Sequence, residues 1–467
     1  MDDAAPSSRL AAPPPRFVAG STMRHVVVMT AAGSVGLVAI FMVDLLSLLY
    51  ISWLGDPRLT AGVGFATIVL FLSISINVGL MIAIGALVSR ALGGGERARA
   101  RRLAGTSTIH MTLASLVIAA AILAILPGLL RLLGAGPHTL AIAHRFLWIT
   151  MPSNVLMALG MAFSSVLRAV GDAKRSMYVT LAGAIVVAGL DPLLIFGLGL
   201  GVDGAAIATV VSRLIFALVG FHGAVRIHRL VAWPRPRELA ADLPPMFAIA
   251  APAVLTNVAT PVASGFVAAV LARFGDRVIA GGAIIDRLVP VAFGGLFALS
   301  GAIGPILGQN WGARRFDRMR QALRDAVRFL AIYVAAVWIL LLLARGPLTH
   351  LFGVTGLAAD IVRFFCLVSG PMWFFIGLLF LANASFNNLG FPLLSTAFNW
   401  GRATLGTIPF AAAGASLGGP EGVLAGVAAG GLFFGLAAIA AAFWTIGSLE
   451  RRSLAQDRAA SIGAPSR

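Results

Sequence analysis

Twelve stretches of predominantly apolar residues, each long enough to cross a bilayer, follow one another along the 467-residue chain. A span needs about 20 such residues. The stretches read as 24–53, 60–89, 104–133, 140–167, 177–198, 204–225, 245–273, 279–308, 325–351, 358–386, 393–414 and 421–448. In hydrocarbon each backbone N–H and C=O must be paired within its own segment, so every stretch is expected to be helical. Composition agrees, with 59% hydrophobic and 11% charged residues, against roughly 45–50% and 25% in soluble domains. The expected fold class is an all-α polytopic membrane protein of about 12 transmembrane helices.

The net charge of +17 comes from 35 basic residues, all arginine except Lys174. If the N-terminus is cytoplasmic, and residues near span ends are counted with the adjoining loop or tail, 25 of them fall in the tails and even-numbered loops and 5 in the odd-numbered loops; Arg145, Arg213, Arg287, Arg363 and Arg402 fall deeper within spans. Such an asymmetry orients both termini to the cytoplasm. The charge is thereby assigned to topology and anionic lipid, and no nucleic-acid partner is expected. The first apolar run far exceeds the about 7–15 residues of a cleaved signal core, so no cleaved signal is expected. Cys366 is the only cysteine, and the seven histidines show no ligand spacing, so no disulfide, metal site or cofactor is expected.

The two halves repeat each other. At an offset of 219, Gly93, Arg99 and Arg101 of LGGGERARARR fall on Gly312, Arg318 and Arg320 of WGARRFDRMRQ, and Gly171 falls on Gly390. At 220, Gly55, Asp56 and Gly62 fall on Gly275, Asp276 and Gly282. Six spans per half is an even number, so the repeats are parallel, related by an axis along the membrane normal. The domain reading is a disordered cytoplasmic tail 1–22, rich in Pro, Ala and Ser, an N-terminal six-helix lobe 23–225 and a basic, proline-rich cytoplasmic linker 226–244. A C-terminal six-helix lobe 245–448 and a cytoplasmic tail 449–467 complete it. Two such bundles around a central cleft are the architecture of a secondary transporter.

An aspartate at the centre of a span costs about 2.5–3.5 kcal/mol, whereas a leucine returns about 0.3–0.6 kcal/mol, so acids inside spans are functional candidates. Asp44 and Asp191 are the two acids clearly inside. Counted from the outer ends of their spans at about 1.5 Å per residue, Asp44, Asp191 and Thr209 lie at similar depth. Two carboxylates in a poorly hydrated site cannot both ionise cheaply, and such a pair exchanges a proton when its surroundings change. Pro192 lacks an N–H, which frees the carbonyl of Ala188.

Several pieces occur in a set order: FMVDLLSLLYISWLG, the glycine-basic loop after span two, SSVLRAVGDAKRSM, GLDPLLIFGLGLGVDGAAIATVVSR and ILGQNWGARR. In that order they resemble the multidrug and toxic compound extrusion (MATE) transporters, from about 24 to 448. The resemblance implies that Asp44, Asp191 and Thr209 form a cation or proton site of the N-terminal lobe. Val187 stands where that site commonly has an asparagine, which favours a proton over sodium. Relatives often carry a proline early in span one; VVVMTAAGSVG has none, leaving Gly33 and Gly36 to supply flexibility. Span seven and the core of span ten carry no acid in place of the second-lobe carboxylates of another branch.

Among the remaining polar residues, Arg213 is expected either to neutralise an aspartate or to face the cytoplasmic cleft, and Asp286 and Arg287 to form a local pair. Asn77, Asn154, Ser164, Asn383 and Asn387 are candidates for the cavity lining or for helix-to-helix hydrogen bonds. Gly199, Gly201 and Gly204 fit GxGxxG, and Gly414, Ser416 and Gly418 fit GxSxG, but each joins two apolar spans without a strand. No enzyme is therefore expected. The expected function is a proton-coupled antiporter of the bacterial inner membrane, a monomer in contact with membrane lipids, exporting amphipathic or cationic organic compounds. The alternative is a lipid-linked sugar or isoprenoid flippase of the same superfamily, which arginines facing the cleft would favour.

Overall fold

In the computed structural model, residues 15–462 are described, and all regular structure among them is helical. The crossing helices are α1 (Thr22–Ser52), α2 (Pro57–Gly93), α3 (Arg97–Leu132), α4 (Pro137–Val170), α5 (Ala173–Gly197), α6 (Gly201–Ile227), α7 (Pro236–Ala272), α8 (Asp276–Gly312), α9 (Phe316–Leu351) and α10 (Leu357–Leu389). The last long segment begins at Pro392 and bends where Gly418 and Gly419 leave helical geometry. It divides there into α11 (392–417) and α12 (420–462), giving twelve crossings. The helices overrun the apolar stretches by several residues at many ends, because their termini are capped outside the apolar run. Ser21 accepts from the Arg24 N–H and opens α1. Asp56 accepts from the Arg58 N–H and opens α2, with Pro57 in the first turn. Asp172 opens α5; burial alone would raise its carboxyl, but hydrogen bonds from Arg175 and His228 hold it below the ordinary carboxylate range.

The backbone carries the repeat. Gly171 and Gly390, 219 apart, end α4 and α10 in the left-handed conformation. Gly134 and Gly353 recur at the same offset, as do Gly95 and Arg314, all with positive φ. The two lobes meet through α1 against α8 and α2 against α7, which are mates under this symmetry, and through α2 crossing α8. At that crossing Gly93 lies against the backbone of Gln309, and Gly312 against that of Arg90, with no room for a Cβ at either. Arg90 and Gln309 are themselves 219 apart, so the pseudo-twofold axis runs through this contact.

Hydrogen bonds fasten the lobes on the face bearing the arginine-rich loops. Arg90 donates to the carbonyls of Asn388 (2.6 Å) and Asn387 (2.9 Å) and stacks over Trp311. Thr22 on α1 bonds Asp325 on α9. Thr106 on α3 bonds Asp242 on α7 at 3.0 Å, and Arg102 bonds it twice. These two threonine–aspartate pairs are symmetry mates with donor and acceptor exchanged. Among the described residues, no hydrogen bond joins the lobes beyond the level of Asn257 and Ser75 toward the opposite face.

Four points change or extend the sequence reading. The linker expected over 226–244 is non-helical only over 228–235, because α7 starts at Pro236, a favoured first helical residue. Within the tail expected to be disordered, residues 15–21 are packed, with Phe17 only 1% exposed; residues 1–14 lie outside those described. The tail after 448 continues as helix through Ile462. Gly33 and Gly36 are contact points instead of hinges: Gly33 packs on Ala298 of α8 and Gly36 on Thr180 of α5, which clamps α1 between the lobes.

Gly93→Ala and Gly312→Ala each drive a methyl into the opposite backbone, an overpacking cost of about 1–3 kcal/mol. Gly265→Ala on α7, with nothing within 4 Å, gains about 0.5–1 kcal/mol from helix propensity. Thermal unfolding in detergent, followed by tryptophan fluorescence, is expected to shift down for the first two and level or up for the third.

Candidate functional site

Asp191 stands near the end of α5 furthest from the arginine-rich face. After Pro192 the helix widens into a π-turn over Leu193–Gly197, where the Leu198 N–H reaches back to the Leu193 carbonyl. Such wider turns recur at functional sites. The Asp191 side chain is 1% exposed. Its Oδ2 accepts from the hydroxyl of Ser47 on α1, and its Oδ1 is buried with no hydrogen-bond partner among the described residues. Leaving a buried acceptor unpaired costs about 1–3 kcal/mol, more when it is charged. The open oxygen is therefore a place for a proton or a cation.

Asp44 lies one helical turn before Ser47, so both residues face the same way from α1. It is exposed, and within electrostatic range of Asp191 and Arg213. The structure thus gathers Asp44, Ser47 and Asp191 where α1 meets α5. Ser47 was missed in the sequence, although its three-residue spacing from Asp44 is the signal that marks it.

Thr209, expected at the same depth, gives its hydroxyl to the Ala205 carbonyl of its own helix at 2.9 Å and makes no hydrogen bond to either carboxylate. Arg213, 6% exposed, is turned toward α4. It donates to the Thr150 carbonyl (2.8 Å) and the Ser153 hydroxyl (3.1 Å), at the turn where Pro152 interrupts α4. Among the described residues it makes no direct ion pair with an aspartate, although its charge lies within electrostatic range of Asp44, and it is buried inside the lobe instead of facing the cytoplasmic cleft. Its helix wheel fixed the face but not the neighbour. Asp286 and Arg287 are both exposed and unpaired with each other, since successive residues on a helix point about 100° apart.

The asparagines and Ser164 are buried and bridge helices or loops. Asn77 reaches Asn154 at 3.4 Å, and Asn154 reaches the Ser115 hydroxyl at 2.7 Å, tying α2, α4 and α3. Ser164 exchanges a bond with Ser176 and accepts from Arg168. Asn383 accepts from Asn399 at 2.8 Å, while Asn387 takes part through its carbonyl and keeps a buried, unpaired Oδ1. Of the arginines in spans, Arg145 pairs with Asp203 and Arg363 with Asp360 at 3.6 Å. Arg402 on α11 is half-buried and its guanidinium has no hydrogen-bond or ion-pair partner among the described residues. A cavity of about 510 Å³ lies elsewhere, at the arginine-rich face, between Leu87 and Arg90 of α2, Ile249 of α7 and Phe391.

The motif decoys resolve structurally. Gly199 and Gly201 have φ of +66° and +55° and turn α5 into α6. Ser416 donates to the Ala413 carbonyl of its own helix, with no base beside it.

Comparison with known proteins follows the same lines. The profile described as MatE matches residues 34–193 and 252–412, two segments that start 218 residues apart, one short of the internal repeat. The chain is similar to the FAD transporter of Shewanella oneidensis, 28% identical over 422 residues, covering 88% of this chain and 92% of that protein. It is also similar to the multidrug export protein MepA of Staphylococcus aureus, 24% identical over 314 residues, 66% of this chain and 67% of that one. Its fold matches the crystal structure of the Vibrio cholerae MATE transporter VcmN in the bent form with a TM-score of 0.87 at 25% identity, over 92% of this chain and 98% of that one. With both repeats matched, twelve crossings and the buried carboxylate in lobe one, the chain belongs to the MatE family, the multidrug and toxic compound extrusion (MATE) transporters.

Proposed function

We propose that the protein is a proton-coupled antiporter of the bacterial inner membrane that exports amphipathic, often cationic, organic compounds. Its arginine-rich face and both termini lie in the cytoplasm, as positive-inside orientation requires, and it works as a monomer among membrane lipids. The observation that carries the reading is Asp191: buried, held on one oxygen by Ser47 from another helix, and open on the other. A proton arriving from the outer side takes that oxygen. The neutralised acid no longer holds Ser47 as a charged acceptor does, since bonds to ionised groups are roughly twice as strong. The α1–α5 contact loosens, bound substrate leaves outward, and the proton is given up after the lobes turn. The ion drives this cycle only through its different affinity for the two states. Sodium fits less well, because Val187 supplies no side-chain oxygen and Thr209 is turned into its own helix.

A second reading concerns the substrate. A relative over most of the chain is named FAD transporter, and Arg402 offers an unpaired guanidinium in the half of the molecule that lacks the carboxylates. An anionic substrate bearing phosphates would find its partner there.

In liposomes with an imposed pH gradient, efflux of a fluorescent organic cation is expected to fall about ten-fold or more in Asp191→Asn and Asp44→Asn, as loss of an intramembrane carboxylate implies. Ser47→Ala is expected to keep transport but displace the pH of half-maximal rate. Unchanged gradient-driven transport in both aspartate variants overturns the site, and drive by sodium alone overturns the proton assignment. For the second reading, Arg402→Gln is expected to reduce uptake of flavin dinucleotide into inside-out vesicles while sparing the cation; equal effects on both exclude Arg402 as an anion partner.

A further inference from the structure

The seven residues before α1 lie across the joint between the lobes. Phe17 is 1% exposed, its ring buried among mostly lobe-two core residues with its tip against Gly171 of lobe one, and met edge-on by His25 at 5.3 Å. Its N–H donates to Gln309 Oε1 at 2.9 Å, and its carbonyl accepts from Asn310 and from Arg318, each at 3.1 Å. Arg318 also donates to the Gly20 carbonyl at 3.0 Å. All three partners belong to lobe two. On the other side, the Arg16 guanidinium donates to the carbonyl of Gly171, and Gln309 itself donates to the carbonyl of Ala169, both in the α4–α5 turn of lobe one. A short segment with no helix or strand of its own is therefore bonded to lobe two at Phe17 and Gly20 and to lobe one at Arg16, at the face where the lobes are fastened.

We propose that residues 15–21 form a latch that holds the arginine-rich face closed, and that Phe17 must leave its pocket each time this face opens. The inference extends the transporter reading above, since it presumes that the lobes part at this face during the cycle. Lobe one cannot move away from lobe two while Arg16 and Gln309 hold the α4–α5 turn and Phe17 stays seated among lobe-two residues. The latch is also joined to α1: Thr22, one residue beyond the segment, is bonded to Asp325 of lobe two, while Ser47 at the far end of the same helix holds Asp191 of lobe one. A shift of α1 that follows a change at Asp191 therefore pulls on the latch, and the two ends of the molecule are coupled through one continuous helix.

The test uses the full-length protein with Cys366→Ala and a reporter Ser89→Cys, buried between the lobes against Gly308. A membrane-impermeant maleimide is applied from the arginine-rich face, without substrate or ion gradient, so that the outcome does not depend on which ion drives transport. Phe17→Ala and, separately, Arg318→Gln are expected to speed labelling about ten-fold or more, as a shift in the open population of that size implies. Arg318→Gln leaves the apolar core intact and keeps the test valid if Phe17→Ala does not fold. Labelling at the wild-type rate in Arg318→Gln, with its thermal stability merely lowered, overturns the latch and leaves a structural strap. Failure of the carboxylate variants to affect transport would leave this result standing.

Discussion

A carboxylate buried in a bilayer is among the most expensive groups a chain can place there, and Asp191 is buried with one oxygen unsatisfied. In the proposed cycle this cost is switched instead of removed. Ser47 satisfies one oxygen from a different helix, so the state of the acid is felt by α1. Gly36 lets α1 lie directly on Thr180 of α5, and Gly33 lets it lie on Ala298 of α8. The helix that reports on the carboxylate is the one wedged between the lobes.

The repeat supplies the second feature, a joint between the lobes built from paired contacts. Its contacts are isologous: Gly93 against Gln309 and Gly312 against Arg90, α1 on α8 and α7 on α2. Symmetry is broken where function asks for it. The carboxylates exist in lobe one alone, since Ser264 and Ala411 stand 220 residues beyond Asp44 and Asp191. The threonine–aspartate ties exchange donor and acceptor, so one tie anchors α1 to lobe two and the other anchors α7 to lobe one. In the proposed cycle, a lobe with these carboxylates and a lobe without them respond differently to one proton, although their folds are alike.

Much of this was legible in the sequence, for physical reasons. Span length and apolarity dictate the twelve crossings, and glycines at an offset of 219 to 220 mark left-handed turns that few other residues adopt. Asp44 and Asp191 stand out because an acid inside a span carries a large insertion cost. What stayed hidden depends on neighbours. Ser47 is cheap to bury and so leaves no energetic signature. Arg213 has a definite helix face, but only packing reveals that Thr150 and Ser153 lie opposite it. Phe17 sits in a run of Pro, Ala and Ser whose average polarity conceals one anchoring ring, and the glycines of α1 look flexible until α5 and α8 are placed against them.

The central claim is that substrate and proton compete through the contact between α1 and α5. Titration of purified transporter with substrate in weakly buffered detergent solution, with a pH indicator reading the bulk, tests it without vesicles or gradients. Linkage predicts release of about one proton per transporter as substrate binds to the wild type, and none in Asp191→Asn at comparable occupancy. Equal proton release in the two proteins, or substrate binding by the wild type with no release at any pH, would contradict it.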